Sequence, residues 1–268
     1  MIMIRTRIIP ALLLRNESLV KTVRFGKFTY VGDPANTVRI FNELEVDELL
    51  FLDITASREN RSPNLKVLVD IADECFMPLG YGGGIRSLDQ AKAIFDIGFE
   101  KVAINTQAEA NPPLISEIAR HYGSQAVIAS IDVKKGFFGR QTVRTLSGRN
   151  NTRRDPVIWA MEVEKMGAGE ILLTCIDHEG TWEGFDLEMV KRVTDAVSIP
   201  VIAHGGAGTI SHIEQVIKQS NASAVALGSM VVFQKRGMGV LVTFPNTEEL
   251  RETLSNTRHG ASIRACRL

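Results

Sequence analysis

Cysteine is scarce and unpaired. Cys75, Cys175 and Cys266 are the only three in 268 residues, and no two share a disulfide-like or metal-binding spacing. That argues against a disulfide framework and against a zinc site, and makes a reducing compartment the default. Net charge is missing as well, because 31 basic residues balance 31 acidic ones. No global field draws the chain to nucleic acid or to an anionic membrane. No apolar run approaches the roughly 20 residues that a membrane span needs. The apolar stretch near the N-terminus is short, interrupted by Pro10 and followed by no small-residue cleavage site. It reads as a first strand and not as a signal peptide. Five histidines are scattered without ligand spacing. The expectation is a soluble, cytoplasmic protein with no metal, no cofactor and no nucleic-acid or membrane partner.

What is present is alternation. Strand-like runs fall at Arg7–Leu14, Glu48–Asp53, Pro78–Gly82, Lys101–Asn105, Ala126–Asp132, Glu170–Thr174, Pro200–Ala203 and Ala224–Leu227. Between them lie amphipathic stretches such as "LKVLVDIADECF", with apolar residues at three- and four-residue intervals. Ser87 and Asp186 stand where helix caps belong. Eight β-runs separated by helices predict a single (β/α)8 barrel over residues 1–246, with residues 247–268 as a last helix and a frayed tail. An open doubly wound sheet would carry a G-x-G-x-x-G turn after its first strand. Here that strand is followed by the polar, glycine-free "RNESLVKT", which reads as a loop. The halves echo each other. "ELLFLDI" resembles "EILLTCI", and "GGGIRS" resembles "GGAGTI", at offsets of about 122 to 123 residues. Either chance likeness or a half-barrel repeat explains this, and the repeat is the better reading.

Two glycine stretches each end a strand and lead into a helix. "YGGGIRS" supplies Gly83 and Gly84, with Asn105 and Thr106 of the next strand end beside them. "HGGAGTIS" supplies Gly205 and Gly206, with Gly228 and Ser229 of "LGSM" beside them and Gly180 in the preceding loop. Glycine lets backbone N–H groups approach an anion, and a helix N-terminus adds partial positive charge. A symmetric pair of such cradles suits a ligand with a phosphate at each end. The plainer alternative is that these glycines only make tight turns.

In this order, "RIIP", "VGDP", "DELLFLDITAS", "YGGGIRS", "KVAIN", "YGSQAVIASIDVK", "GAGEILLT", "IDHEGT", "IPVIAHGGAG" and "LGS" resemble HisF, the cyclase subunit family of imidazole glycerol phosphate synthase. The likeness covers roughly residues 5 to 235. It implies a HisH-like glutaminase partner at the barrel bottom, ammonia passing up the interior, and a doubly phosphorylated ligand at the top. It places the family's ammonia gate at Arg7, Glu48, Lys101 and Glu170, four charges at strand starts. Charges at that depth are costly unless paired, and a purely structural ring is the alternative. The family's two catalytic aspartates end strands one and five. Asp132 matches the second. The first falls at Leu13, inside the triple leucine Leu12–Leu14. Lys21 is kept at a position that the family uses near its substrate. Leucine cannot carry a proton, and losing such a group typically costs about 10² to 10⁴ in rate. Glu17, in the following loop, is the nearest sequence candidate to replace it.

Other positions depart from the family. His204 stands where serine is usual, and "DHEG" places His178 and Glu179 in a loop that is usually "DRDG". His204 is either a new ligand for an altered substrate or a tolerated change. The triple leucine, "ECFMPLGYGGGI" and "KKGFFG" resemble a branch of HisF-like paralogues encoded with surface-polysaccharide genes. That branch implies ammonia supply for converting an acetamido sugar to an acetamidino sugar, with a sugar amidotransferase as a further partner. The alternatives are a working histidine-pathway cyclase with a rearranged acid, and a non-catalytic scaffold that activates the glutaminase.

Overall fold

The computed structural model describes residues 6–137 and 139–255. The first half runs β1 (Arg7–Arg15), β2 (Ser18–Thr22), β3 (Phe28–Gly32), α1 (Pro34–Glu43), β4 (Leu49–Asp53), α2 (Leu65–Ala72), β5 (Leu79–Gly82), α3 (Leu88–Ile97), β6 (Lys101–Ile104), α4 (Thr106–Ala110) and α5 (Pro113–Tyr122). The second half runs β7 (Val127–Lys135), β8 (Gln141–Thr145), β9 (Asn150–Asn151), α6 (Pro156–Lys165), β10 (Glu170–Cys175), α7 (Leu187–Thr194), β11 (Val201–His204), α8 (Ile210–Ser220), β12 (Ala224–Leu227) and α9 (Ser229–Val232). A last helix, α10 (Thr247–Ser255), follows, and the expected frayed tail lies outside the described residues.

The parallel strands β1, β4, β5, β6, β7, β10, β11 and β12 pair in that order, and β12 returns to β1, which closes the barrel. It is the expected (β/α)8 barrel. β1 and β7 stand diametrically opposite, and each continues beyond the barrel into an antiparallel hairpin, with β2–β3 on one and β8–β9 on the other. This is the two-half relationship expressed in three dimensions. It also corrects one expectation: the stretch after β1 is not loop, because "SLVKT" is β2.

The local chemistry explains the helices. Ser87 accepts from the Gln90 N–H at the start of α3, and Gly98 ends that helix in the left-handed region. Asp186 caps α7 through the Met189 N–H. In α2, Val67, Leu68 and Ile71 are the buried positions, one face of a 3.6-residue period.

Strand alternation then sorts side chains into two cores. Ile8, Leu12, Leu14, Leu49 and Phe51 face the helices. Ile9, Ala11, Leu50, Ala103, Ile128, Leu172, Ile202, Ala224 and Ala226 fill the barrel interior. The interior is a packed core, as is general for this fold. A Cβ on Gly80 would lie 2.9 Å from Leu50 Cδ1, so glycine there makes room for the leucine.

Candidate functional site

At the N-terminal end of the barrel, four strand starts aim charged side chains at one another. Arg7 Nη1 lies 2.7 Å from Glu48 Oε2, and Arg7 Nη2 lies 2.8 Å from Glu170 Oε1. Lys101 Nζ lies 2.9 Å from Glu48 and 3.3 Å from Glu170. The four residues expected from the sequence thus form a closed square of alternating sign. Burial works against the Arg7 charge, but the Glu170 and Glu48 carboxylates outweigh it and hold the guanidinium above its ordinary pKa. Directly above the square lies the apolar interior.

At the opposite end a cleft with about 1090 Å³ of open space receives Leu13, Asp132, Thr174, Glu179 and His204, together with Gly83, Gly84, Asn105 and Thr106. Leu13 is buried and level with Leu52 on β4, so one wall of the mouth is hydrocarbon. Asp132 stands across the barrel on β7. Asn105 Nδ2 donates to its Oδ2 at 3.3 Å. Burial pushes the Asp132 carboxyl up to about 7, against the help of a hydrogen bond from Thr174. His204 Nδ1 lies 3.1 Å from Thr174 Oγ1. Burial, with Lys21 nearby, lowers the His204 pKa to about 4, so the imidazole is neutral at pH 7.

Glu17 does not replace the missing carboxylate. It sits exposed in the turn between β1 and β2 and lines only outer surface grooves. Besides Asp132, the mouth is lined by Asp53 of β4 and by Glu179, which is 1% exposed and ion-paired with Lys21. Glu179 also accepts from Thr22 Oγ1 and from the Phe25 N–H, both at 3.1 Å. The Arg24 N–H donates to the Glu179 carbonyl at 2.8 Å. These bonds strap the segment after β2 across the mouth. The Phe25 ring meets the turn between β8 and β9, where a Cβ on Gly148 would lie 3.1 Å from Phe25 Cδ2. The two hairpins therefore touch above the cleft. Sequence reading singled out Lys21 and noted Glu179 without pairing them. The residues lie 158 positions apart, and no local pattern links them.

The two cradles differ. Gly83, Gly84, Asn105 and Thr106 share the central cleft with Asp132. Gly84 N–H already has a partner there, donating to Ser57 Oγ at 3.3 Å. On the other side, Gly180 and Ser229 line a separate groove with Lys21, Arg24, Lys27 and Arg236, a basic surface suited to an anion. Gly205 and Gly206 do not line that groove and pack instead against Cys175, Glu179 and Gly184. A Cβ on Gly206, at φ +111°, would lie 2.0 Å from the Gly184 carbonyl, so packing alone demands glycine there. Gly228 makes room for Lys21, whose Cε would lie 2.8 Å from an added Cβ. His178 Nδ1–H donates to the Gly184 carbonyl at 2.8 Å and orders its own loop. Among the described residues no group of His, Cys, Asp or Glu is arranged to hold a metal, and no helix is long and apolar enough to cross a membrane.

Comparison with known proteins agrees with this geometry. The family model described as histidine biosynthesis protein matches residues 7–236. A Pseudomonas aeruginosa protein provisionally named imidazole glycerol phosphate synthase subunit hisF2 is 48% identical over 92% of this chain and 99% of its own length. A Leptospira borgpetersenii protein with the provisional name of the HisF subunit is 44% identical over 91% of this chain and 96% of its own. The imidazole glycerol phosphate synthase subunit HisF of Alkaliphilus metalliredigens is 44% identical over 85% of this chain and 90% of its own. A closed barrel, a match over nearly all its strands and relatives of this identity place the chain in the histidine biosynthesis protein family, among HisF and its paralogues.

Proposed function

We propose that this chain is the ammonia-accepting subunit of a specialised glutamine amidotransferase. A HisH-like glutaminase docks at the charged end of the barrel, and ammonia crosses the interior to the mouth. The carrying observation is a contrast between the two ends: the charge square is complete, while the wall that would hold the strand-one aspartate presents Leu13. Between the ends, the interior holds an apolar cluster that includes Ile9, Leu50, Ile128, Leu172 and Ile202. Such a layer penalises ammonium heavily and neutral ammonia little.

Ring closure in the histidine pathway needs proton transfer on both faces of the mouth, and hydrocarbon offers none on one of them. The finer reading is therefore amidation of an acetamido sugar to an acetamidino sugar for a surface polysaccharide, with a sugar amidotransferase as the acceptor enzyme. The basic groove at Gly180 and Ser229 and the cleft at Gly83 and Gly84 would hold a phosphorylated ligand. A second reading, the histidine-pathway cyclase forming imidazole glycerol phosphate and aminoimidazole carboxamide ribotide, is favoured by Asp132 and Lys21, both kept in the mouth.

Complementation separates the two. The unmodified chain should fail to rescue a histidine auxotroph that lacks the cyclase, and rescue at a normal growth rate would refute the proposal. Co-purification should capture a glutaminase whose activity depends on this chain.

A further inference from the structure

Three neighbouring strands place polar side chains on one tier of the mouth. Thr174 on β10 is in register with Asp132 on β7 and with His204 on β11. All three side chains face the central cleft and all three residues are buried. The Thr174 hydroxyl is hydrogen-bonded to His204 Nδ1 at 3.1 Å, and strand register sets it beside the Asp132 carboxyl. A hydroxyl has one proton, so it can donate to only one of the two at a time. The other ring nitrogen, His204 Nε2, is directed toward Gly228, where an added Cβ would lie 3.7 Å from it.

We propose that Asp132, Thr174 and His204 form a proton relay that extends the acid–base reach of Asp132 along the β10–β11 side of the mouth, while the β1 wall at Leu13 stays without a proton carrier. The constraint is one of bond polarity. With Asp132 ionised, Thr174 donates to it and accepts from His204 Nδ1–H, which leaves Nε2 as an acceptor on the Gly228 side of the mouth. With Asp132 protonated, its carboxyl donates to Thr174, Thr174 donates to Nδ1, and the imidazole carries its proton on Nε2. The imidazole stays neutral in both states, and only its tautomer changes.

The chemistry rests on the reading that ammonia is used at this mouth. When ammonia adds to a carbonyl carbon, a C–N bond forms, the π pair moves to oxygen and nitrogen holds one proton in excess. Nε2 takes that proton, Nδ1–H passes to Thr174 Oγ1, and the threonine proton passes to the Asp132 carboxylate. One proton leaves nitrogen and one arrives at Asp132, with His204 and Thr174 again neutral. Burial brings the Asp132 carboxyl to about 7, so both states are populated near neutrality. The groups that bear on this tier are Asn105 of β6, Glu179 of the loop after β10, Lys21 of β2, and Arg144, which is in register with Asp132 on β8. Lys21 and Glu179 neutralise each other as an ion pair, which leaves Asp132 as the proton store.

Imidazole ¹⁵N NMR on the full chain tests the relay directly, with His204→Gln identifying the His204 resonances. The Nδ1 and Nε2 shifts should exchange roles as pH passes through about 7. Thr174→Val should freeze one tautomer across that range, and Thr174→Ser should restore the exchange. A tautomer independent of pH in the unmodified protein, or an exchange that survives Thr174→Val, would overturn the proposal. In ammonia-dependent turnover with the glutaminase present, Thr174→Val should lower kcat by about 10² and remove the limb near neutrality, with KM for ammonia kept and Thr174→Ser near normal. If ammonia transfer is absent while the NMR exchange is present, the functional reading fails and the relay stands. The reverse pattern refutes the relay alone.

Discussion

Lys21 reaches from the hairpin on β1 to Glu179 in the loop after β10, and the two side chains, 4% and 1% exposed, make a buried ion pair that joins the halves of the barrel mouth. Breaking such a pair from one side strands a charge. Glu179→Gln should therefore cost about 3 to 5 kcal/mol. Replacing both partners at once, as Lys21→Met with Glu179→Gln, removes the stranded charge and should recover a large part of that loss. Urea unfolding of the two variants decides it: a double variant no more stable than the single one would show that Lys21 is not held by Glu179.

Two glycines with similar backbone angles should respond differently to alanine. Gly98 has φ +115° with nothing within 4 Å of an added Cβ, whereas at Gly206, φ +111°, the Cβ would lie 2.0 Å from the Gly184 carbonyl. Gly98→Ala should cost only the left-handed backbone penalty, about 1 to 2 kcal/mol. Gly206→Ala adds a clash with backbone and should lower the melting temperature well beyond that. Equal shifts in Tm would contradict the packing described at the second cradle.

The pH dependence of stability carries two opposing contributions. The Asp132 carboxyl sits at about 7 in the folded chain against an ordinary 3.8. Folded Asp132 keeps a proton that the unfolded chain has released, so this contribution is full at low pH and is lost as pH rises toward 7. His204 sits at about 4 against an ordinary 6.5. It stays neutral where the unfolded chain is protonated, so its contribution is full above 6.5 and is lost as pH falls toward 4. Between those limits the two slopes, each about 1.4 kcal/mol per pH unit, should cancel. Relative to the double variant Asp132→Asn/His204→Gln, the native chain should be flat in this window. Asp132→Asn should lose stability toward low pH, and His204→Gln should gain it. Chemical denaturation at pH 5 and 6 measures both signs.

Lys101 touches both carboxylates of the charge square, whose members range from 5% exposed at Glu48 to 29% at Arg7. Lys101→Met leaves Arg7 to hold Glu48 and Glu170 alone. The loss should be about 1 to 2 kcal/mol, below the cost of a fully buried pair, because one cation remains and water reaches it. If the square is a gate, glutamine-driven transfer should fall while the complex with the glutaminase stays intact and added ammonium salts still serve. Unchanged glutamine-driven transfer would assign the square a structural role only.

The sequence displayed the barrel because each core strand is apolar on both faces and each helix has a 3.6-residue stripe. The four strand-start charges were legible through the family likeness, since position along a strand maps directly onto depth in the barrel. The hairpins were not. β2 has five residues, one of them the charged Lys21, and its partner β3 begins with three exposed residues, so neither has the apolar run that marks a core strand. α4 and α9, at five and four residues, are too short to show a period. Glu179 was visible as a residue but not as the partner of Lys21, and His204 became interpretable only when β-sheet register set Thr174 between it and Asp132. Pairings across the barrel are decided by closure of the sheet, which no short window of sequence contains.

The floor of the barrel has a mechanical consequence. Each anion there is gripped from two sides, so swinging Lys101 away still leaves Glu48 and Glu170 tied to Arg7. The loss of that one cation therefore abandons no bare carboxylate, and the arginine serves as the fixed post of the floor.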